Sequence, residues 1–273
     1  MRVGTNVTSQ LAKRMLGNVN DRHMSETRKL SGAKRIYEAA VDPAGSAIAL
    51  KMTAQNRSNL QAQRNSNDSY SMLEIADATM GTMHDIAIRL KELSIQMASD
   101  TYAPSERRNA DREFQQLTNE MIRVQENAQY NGTRLLDGTG RDLEMQVGIR
   151  NDAKNDRVRY NISEIMTSNR HLSAHSVNTK ESARNAMQAA DDMIEKISHS
   201  RSKVGSTMKR IESTTTNLQI NYENSESARS KIEDTDFGES AAKKALESIK
   251  MESATAFLAQ ANVGPSAVAK LLD

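Results

Sequence analysis

Cysteine is absent from the 273 residues. With it go disulfides, zinc knuckles, iron–sulfur clusters and thiol nucleophiles. Tryptophan is also absent, phenylalanine occurs three times, and aromatics make up 3% of the chain. An enzyme of this length buries many aromatic and branched side chains, and this sequence has too few for a thick globular core. Three prolines and 12 glycines leave few places where a helix must stop. Neither charge dominates: 37 Lys and Arg stand against 35 Asp and Glu, a formal net charge of +2. A dedicated nucleic-acid binder shows a clear basic excess, so nucleic acid is not an expected partner. Long apolar runs are missing too, Ala47-Ile48-Ala49-Leu50 being as long as any. A membrane span needs about 20 such residues, so no membrane insertion is expected. The first turns carry Arg2, Lys13, Arg14, Arg22, Arg28 and Lys29 without an apolar stretch, which argues against a cleavable secretory signal.

What remains is rich in Ala, Met, Gln, Glu, Lys and Arg, the composition of long helices packed side by side. Val3, Val7, Leu11 and Met15 step by four, one helical face, although Gly17, Asn18 and Asn20 are expected to weaken it. Asp42-Pro43 is a helix start: Asp caps free amides and Pro suits the first helical position. From there to about Ser99, apolar residues recur at Met72, Ile75, Ala76, Met80, Met83, Ile86, Ala87, Leu90, Leu93 and Met97. Pro104 restarts a helix carrying Phe114, Leu117 and Met121, which ends before the tight-turn dipeptide Asn131-Gly132. Alternation at Leu143, Met145, Val147 and at Val158, Tyr160, Ile162 predicts two hairpins within 129–165, with Gly138-Thr139-Gly140 as a hairpin turn.

The clearest pattern is a seven-residue ladder from about Lys180 to Glu233: Ala183, Ala190, Ile197, Val204, Ile211, Leu218, Ser225 and Ile232. A sustained heptad stripe means coiled-coil packing against another helix, here the other long helix in antiparallel sense. The expected seam sets Ile197, Val204, Ile211 and Leu218 near Met83, Leu90 and Met97. A last helix follows Phe237-Gly238 and is expected to break at Gly264-Pro265.

The fold class is therefore mainly α: long antiparallel coiled-coil helices, a small β-hairpin insert, and paired terminal helices. The expected domains are a terminal helix over 1–40, a coiled-coil core over 41–234, and a second terminal helix over 235–273. Short isolated helices are marginal in water, so something outside the monomer is expected to cover the apolar faces of both ends. The residues concerned are Leu11, Met15 and Leu30 at one end, and Leu246, Ile249, Phe257, Leu258, Leu271 and Leu272 at the other. Lys and Arg prevail over Asp21 and Glu26 in residues 1–36, whereas residues 234–273 are slightly acidic, which predicts partial charge complementarity between the ends.

No constellation points to catalysis, a metal or a cofactor. His171 and His175 stand four apart, but without a carboxylate between them they read as solvated side chains in a connecting segment. Phosphate-binding glycine motifs are missing. Asp191-Asp192 and Asp234 with Asp236 lie in helical context and read as solvated or helix-end charges. The 15 methionines could form a copper-handling or promiscuous peptide surface, but most fall at helical core spacing, which favours adaptable packing.

Several blocks, taken in order, resemble bacterial flagellin. They are Leu30-Ser31 through Arg35-Ile36, Asp42-Pro43-Ala44-Gly45 with Ala47-Ile48-Ala49, and Arg64-Asn65-Ser66-Asn67-Asp68 with Met72-Leu73. Arg89 with Lys91-Glu92-Leu93 and Gln96, Glu113-Phe114, Tyr130 to Leu136, and Val147-Gly148 continue the likeness. Near the other end Ala228 to Phe237 and Leu258-Ala259-Gln260-Ala261-Asn262 complete it. Gly32-Ala33, Val41 and Gly264 depart from the family pattern, and there is no room for large outer domains.

The resemblance implies a subunit that polymerises into a hollow helical filament, a homopolymer used as a propeller for swimming. Its terminal helices would form the inner tube. It further implies an extracellular product that passes the flagellar type III export apparatus, with an export chaperone and a filament cap as further partners. Arg89, Leu93 and Glu113 match a patch read by the flagellin-sensing Toll-like receptor. A hook–filament junction protein and an unrelated coiled-coil scaffold are the alternatives, and the intact block from Ala228 to Asn262 argues against the first.

Overall fold

The computed structural model describes residues 6–136, 143–160 and 172–269. Helices α1 (Val7–Gly32), α2 (Pro43–Met97) and α3 (Pro104–Asn127) come first. Strands β1 (Gln129–Tyr130), β2 (Thr133–Arg134), β3 (Leu143–Gln146) and β4 (Arg157–Tyr160) follow, then helices α4 (Lys180–Glu233) and α5 (Phe237–Ala269). The chain divides into two compact units, one of Met1–Asn56 with Glu223–Asp273 and one of Arg57–Tyr222. The divisions fall inside α2 and α4, not at the chain breaks near residues 40 and 235 where the sequence suggested domain limits. A break in a helix marks a change of chain direction, whereas a compact unit is set by which side chains pack together.

The Arg57–Tyr222 unit is built on a seam. Met80, Met83, Ala87 and Leu90 of α2 are fully buried with Ala183, Ala190, Met193, Ile197 and Val204 of α4. Phe114 and Met121 of α3 join them, as do Met145 and Val158 of the β3–β4 hairpin. Ion pairs fix the sense: Asp77 meets Arg201 at 2.9 Å, Lys91 meets Asp191 at 2.5 Å, and Asp100 meets Lys180. Numbers rise along α2 as they fall along α4, so the helices are antiparallel. By this register Met83 is level with Ile197, but Leu90 and Met97 are level with Ala190 and Ala183. The expected clustering of Ile211 and Leu218 near Leu90 and Met97 is thus corrected: Ile211 is level with Ser69 and Leu218 with Ala62. The heptad spacing defines a face of α4 and leaves the sliding register open, which the charged flanks and the size match decide.

Local chemistry explains the corners. Arg107, buried, donates to the carbonyls of Met97 and Ser99 and so satisfies the open end of α2. The backbone N–H of Ala103 donates to Glu106 at 2.8 Å, and Pro104 opens α3. At the β1–β2 turn Asn131 has φ 47° and Gly132 φ 75°. Both central residues of a two-residue hairpin turn need positive φ, which Asn-Gly supplies. In the β3–β4 pair, Met145 faces Val158 and Leu143 faces Tyr160. A Cβ at Gly148 would stand 1.9 Å from a carboxylate oxygen of Asp156, so only glycine fits there. Gly138-Thr139-Gly140, Ile162 and His171 lie outside the described residues.

The other unit pairs α1 with α5. Asn6 donates to the Ala261 carbonyl and Ser9 to Asn262, both at 2.8 Å, while Lys34 and Asp234 form an antiparallel bridge at the opposite ends. Helix α1 is unbroken through Gly17, Asn18 and Asn20, contrary to expectation, because pairing with α5 outweighs the weak propensity of three residues. Helix α5 likewise continues through Gly264-Pro265 to Ala269 and does not break there. An internal proline removes one backbone hydrogen bond, which a long helix survives. At the start of α2, Asp42 accepts from the N–H of Gly45 at 2.9 Å, the cap that Asp42-Pro43 announced.

Ile211 is 1% exposed within the α2–α4 seam. Ile211→Ala should therefore cost roughly 2–5 kcal/mol in urea denaturation. Ile211→Asp should abolish the cooperative transition, because an unpaired carboxylate would be buried.

Candidate assembly surface

Each helix of the α1–α5 pair covers part of the other, which corrects the expectation that nothing local covers the ends. The cover is incomplete. Leu11 is 45% exposed, Met15 56%, Leu246 50%, Ile249 62% and Phe257 73%. Leu30 and Leu258 are half-buried, and Leu271 and Leu272 lie outside the described residues. A groove of about 670 Å³ runs between the two helices, lined on one side by Leu11, Met15 and Val19 and on the other by Ile249, Ala254 and Phe257. That volume is in the usual range for sites that hold an apolar side-chain cluster or ligand, about 300–1,000 Å³.

No ion pair joins the two helices among the described residues, although the Glu26 carboxylate of α1 adds to the rise that Glu239 chiefly gives the Lys243 pKa on α5. Among the described residues every ion pair in α1 and α5 stays within its own helix: Lys29 with Glu26, Lys243 with Glu239, and Lys250 with Glu247. Within the chain the expected complementarity of basic and acidic ends is confined to the influence of Glu26 on Lys243 and forms no ion pair. Apolar contact and the hydrogen bonds of Asn6 and Ser9 hold the pair. Glu26 and Glu247 are buried, and each uses one carboxylate oxygen for its lysine while the other has no hydrogen-bond partner.

The α1–α2 connection and the early part of α2 are tied to the end of α4 by a polar cluster. Arg229 pairs with Glu226 and Glu233, Lys34 pairs with Glu233, and Asn56 donates to Glu226 at 2.6 Å. The Lys34 ammonium, and then the Arg229 guanidinium, hold the Glu233 carboxyl below its ordinary value of 4.5 against the opposing effect of burial. Arg229, and to a lesser degree Asn56, do the same for Glu226.

The seam residues Met83, Leu90, Met97, Ile197, Val204, Ile211 and Leu218 are all buried and belong to the core, not to an open surface. Arg89 and Glu113 of the suggested receptor patch meet at 2.8 Å on the surface, and Glu92 flanks Arg89 at 3.2 Å. Leu93, at 2% exposure, faces the core and cannot be touched by a partner, so the patch reduces to Arg89 and Glu113. Asp191 serves the pair with Lys91, Asp192 accepts from Gln188, and Asp236 caps α5 by accepting from the N–H of Glu239 at 3.0 Å. The carbonyl of His175 accepts from Gln115. Among the described residues no group of three or more His, Asp or Glu could hold a metal, and no helix is long and apolar enough to cross a membrane.

Val7, already on the stripe of α1, is 67% exposed, and further open apolar residues escaped the sequence reading: Phe237 at 66% and Val263 at 56% in the terminal pair, and Ile88 and Ile95 on α2 at 39% and 52%. The signal for Ile88 and Ile95 was present, since they are apolar, seven apart and off the core stripe.

One unit closed about a helical seam, and another whose paired helices leave apolar faces open, define a structural subunit completed by neighbours. The family model of the bacterial flagellin N-terminal helical region matches residues 3–141, and that of the bacterial flagellin C-terminal helical region matches residues 187–272. The chain belongs to the bacterial flagellin family and is a structural subunit of the flagellar filament, an extracellular assembly. It is 33% identical to a flagellin of Halalkalibacterium halodurans and 31% identical to a 30.7 kDa flagellar filament core protein of Treponema maltophilum, each over the whole of both chains. The crystal structure of Bacillus cereus flagellin superposes with a TM-score of 0.52 at 26% identity, covering 57% of this chain and 88% of that one. A putative flagellar hook-associated protein of Vibrio parahaemolyticus shares the fold at 12% identity, with a TM-score of 0.59 over 71% of this chain and all of that one. Matches to both terminal regions leave the junction-protein and scaffold alternatives unfavoured.

The contribution of Glu233 is present above the ordinary carboxylate value of 4.5 and is lost as the pH falls through its lowered folded value. Glu233→Gln at neutral pH should lower hydrogen-exchange protection around residues 33–42 by about tenfold. The parent should show the same loss only in acid. Equal protection of parent and variant at neutral pH would remove this cluster from the account of stability.

Proposed function

We propose that the groove between α1 and α5 is the surface by which one subunit engages the next in the filament. The observation that carries this is the open apolar lining, with Phe257 at 73% exposure opposite Leu11 and Met15. Fully burying one large apolar side chain contributes about 1.5–3 kcal/mol, so a neighbour that fills the groove gains several times the stabilisation of an exposed ion pair. A contact between different surfaces of identical subunits does not close on itself and so propagates a filament. Leu246, Ile249 and Leu258 extend the same apolar character along α5, and Leu271 and Leu272 continue it in the sequence.

Family membership supports a reading of the finer partners as well. The subunit leaves the cell through the flagellar type III export apparatus as unfolded chain, without a cleaved signal peptide, escorted by an export chaperone and added beneath a filament cap. The exposed pair of Arg89 and Glu113 is the part of the innate-receptor patch that a Toll-like receptor could reach on the free subunit.

Phe257→Asp should raise the critical concentration for polymerisation by more than about tenfold. Export of unfolded chain should leave the secreted amount unchanged. Electron microscopy of concentrated protein and immunoblotting of culture medium read the two arms. Normal filaments from the Phe257→Asp protein would refute the groove as the assembly surface.

A further inference from the structure

We propose that Met15 is an oxidation site, and that its sulfoxide blocks assembly of the free subunit. This rests on the groove between α1 and α5 being the assembly surface. The chain has 15 methionines. Met80, Met83, Met121 and Met193 are fully buried in the helical seam, and among the described residues only Met15 at 56% and Met24 at 49% are exposed. The two exposed thioethers have different surroundings. Met15 lines the groove, whereas Met24, nine residues further along α1 and so about half a turn round it, does not.

Oxidation at Met15 is a two-electron oxygen-atom transfer. Hydrogen peroxide gives one oxygen to Sδ, the O–O bond breaks as the S=O bond forms, and water leaves. The product exchanges a flexible apolar side chain for a polar one with a strong acceptor and no donor. Leu11 and Val19 lie one turn to either side of Met15, and Ile249, Ala254 and Phe257 face it across the groove, while Asn18, Arg22, Lys250 and Ser253 line the same groove and carry donors. A sulfoxide at Met15 replaces the apolar contact that this side chain offers a neighbouring subunit, and its oxygen must give up water or turn to one of those donors when the groove closes. The seam methionines are shielded by packing, so peroxide reaches the assembly surface before it reaches the core. Once a subunit is in the filament, Met15 is covered and the reaction is shut off.

Purified monomer is treated with dilute hydrogen peroxide, sulfoxides are located by peptide mass spectrometry, and polymerisation is followed by sedimentation and electron microscopy. Met15 and Met24 should oxidise first, with the seam methionines at least about tenfold slower. The critical concentration should rise about tenfold. Met15→Leu should keep full assembly after peroxide, whereas Met24→Leu should lose it like the parent. Should Met15→Leu itself polymerise poorly, the Met24→Leu protein decides: reduction of its oxidised form by a methionine sulfoxide reductase should restore assembly as the Met15 sulfoxide disappears. Failure of that recovery, equal peroxide sensitivity of Met15→Leu and parent, or normal assembly of monomer fully oxidised at Met15 would each overturn the inference. Unoxidised Met15→Glu separates it from the groove reading. If Met15→Glu polymerises normally, the groove is not the assembly surface. If it fails while Met15-oxidised parent assembles, the groove stands and only the oxidation proposal falls.

Discussion

Small side chains opposite large ones along the α2–α4 seam let two helices of more than fifty residues lie close enough to share a core. Leu90 is level with Ala190, Met97 with Ala183, and Leu218 with Ala62, each a bulky residue against a small one, whereas Met83 and Ile197, both bulky, are level with each other. The flanking ion pairs Asp77–Arg201 and Lys91–Asp191 are partly exposed, and such pairs contribute about 0–1 kcal/mol each. They mark the register more than they pay for it. Phe114 and Met121 of α3 and the inward residues of the β3–β4 hairpin close the side of the seam that two helices alone would leave open. A chain with 3% aromatics closes its interior this way, with methionine and alanine in place of rings.

The terminal pair follows the opposite logic. It is held by a few hydrogen bonds at Asn6 and Ser9 and by apolar contact along one side only. The half-satisfied carboxylates of Glu26 and Glu247 add polar burial without full compensation. A surface left in that condition is a binding surface in waiting: its stabilisation is realised when another copy arrives. The family assignment gives that incompleteness its purpose, since a filament subunit must be able to exist apart from its neighbours and also gain from joining them.

Helix limits were the most legible part of the sequence. Asp42-Pro43, Pro104 and Asn131-Gly132 each act through a local mechanism of capping, fixed φ or positive φ, and each stands where its chemistry requires. The face of α4 was equally plain, because seven-residue spacing is a property of one helix. What depends on two segments at once was hidden. The register of Ile211 against Ser69 requires knowing both helices, and the burial of Leu93 separates it from Arg89 although the two sit four residues apart. Gly17 and Pro265 misled for the same reason, since local weakness is read from one residue and its rescue comes from length and from a partner helix. The outward Ile88 and Ile95 could have been found as apolar residues left over once the core stripe was assigned.

The long helices carry many hydroxyl side chains that bond back to the carbonyl one turn before. Thr214, Thr215 and Thr216 do so in succession on α4, to Arg210, Ile211 and Glu212, and Thr53, Ser69, Thr79 and Ser94 do so along α2. Each such bond competes gently with the helix's own ladder and lets the axis bend at small cost. Spread over many turns, these bonds let the helices yield in small increments where a single proline would concentrate the strain at one kink. A rotating filament bears load that changes direction with every revolution, and subunits built on springs of this kind return the bending work instead of breaking under it.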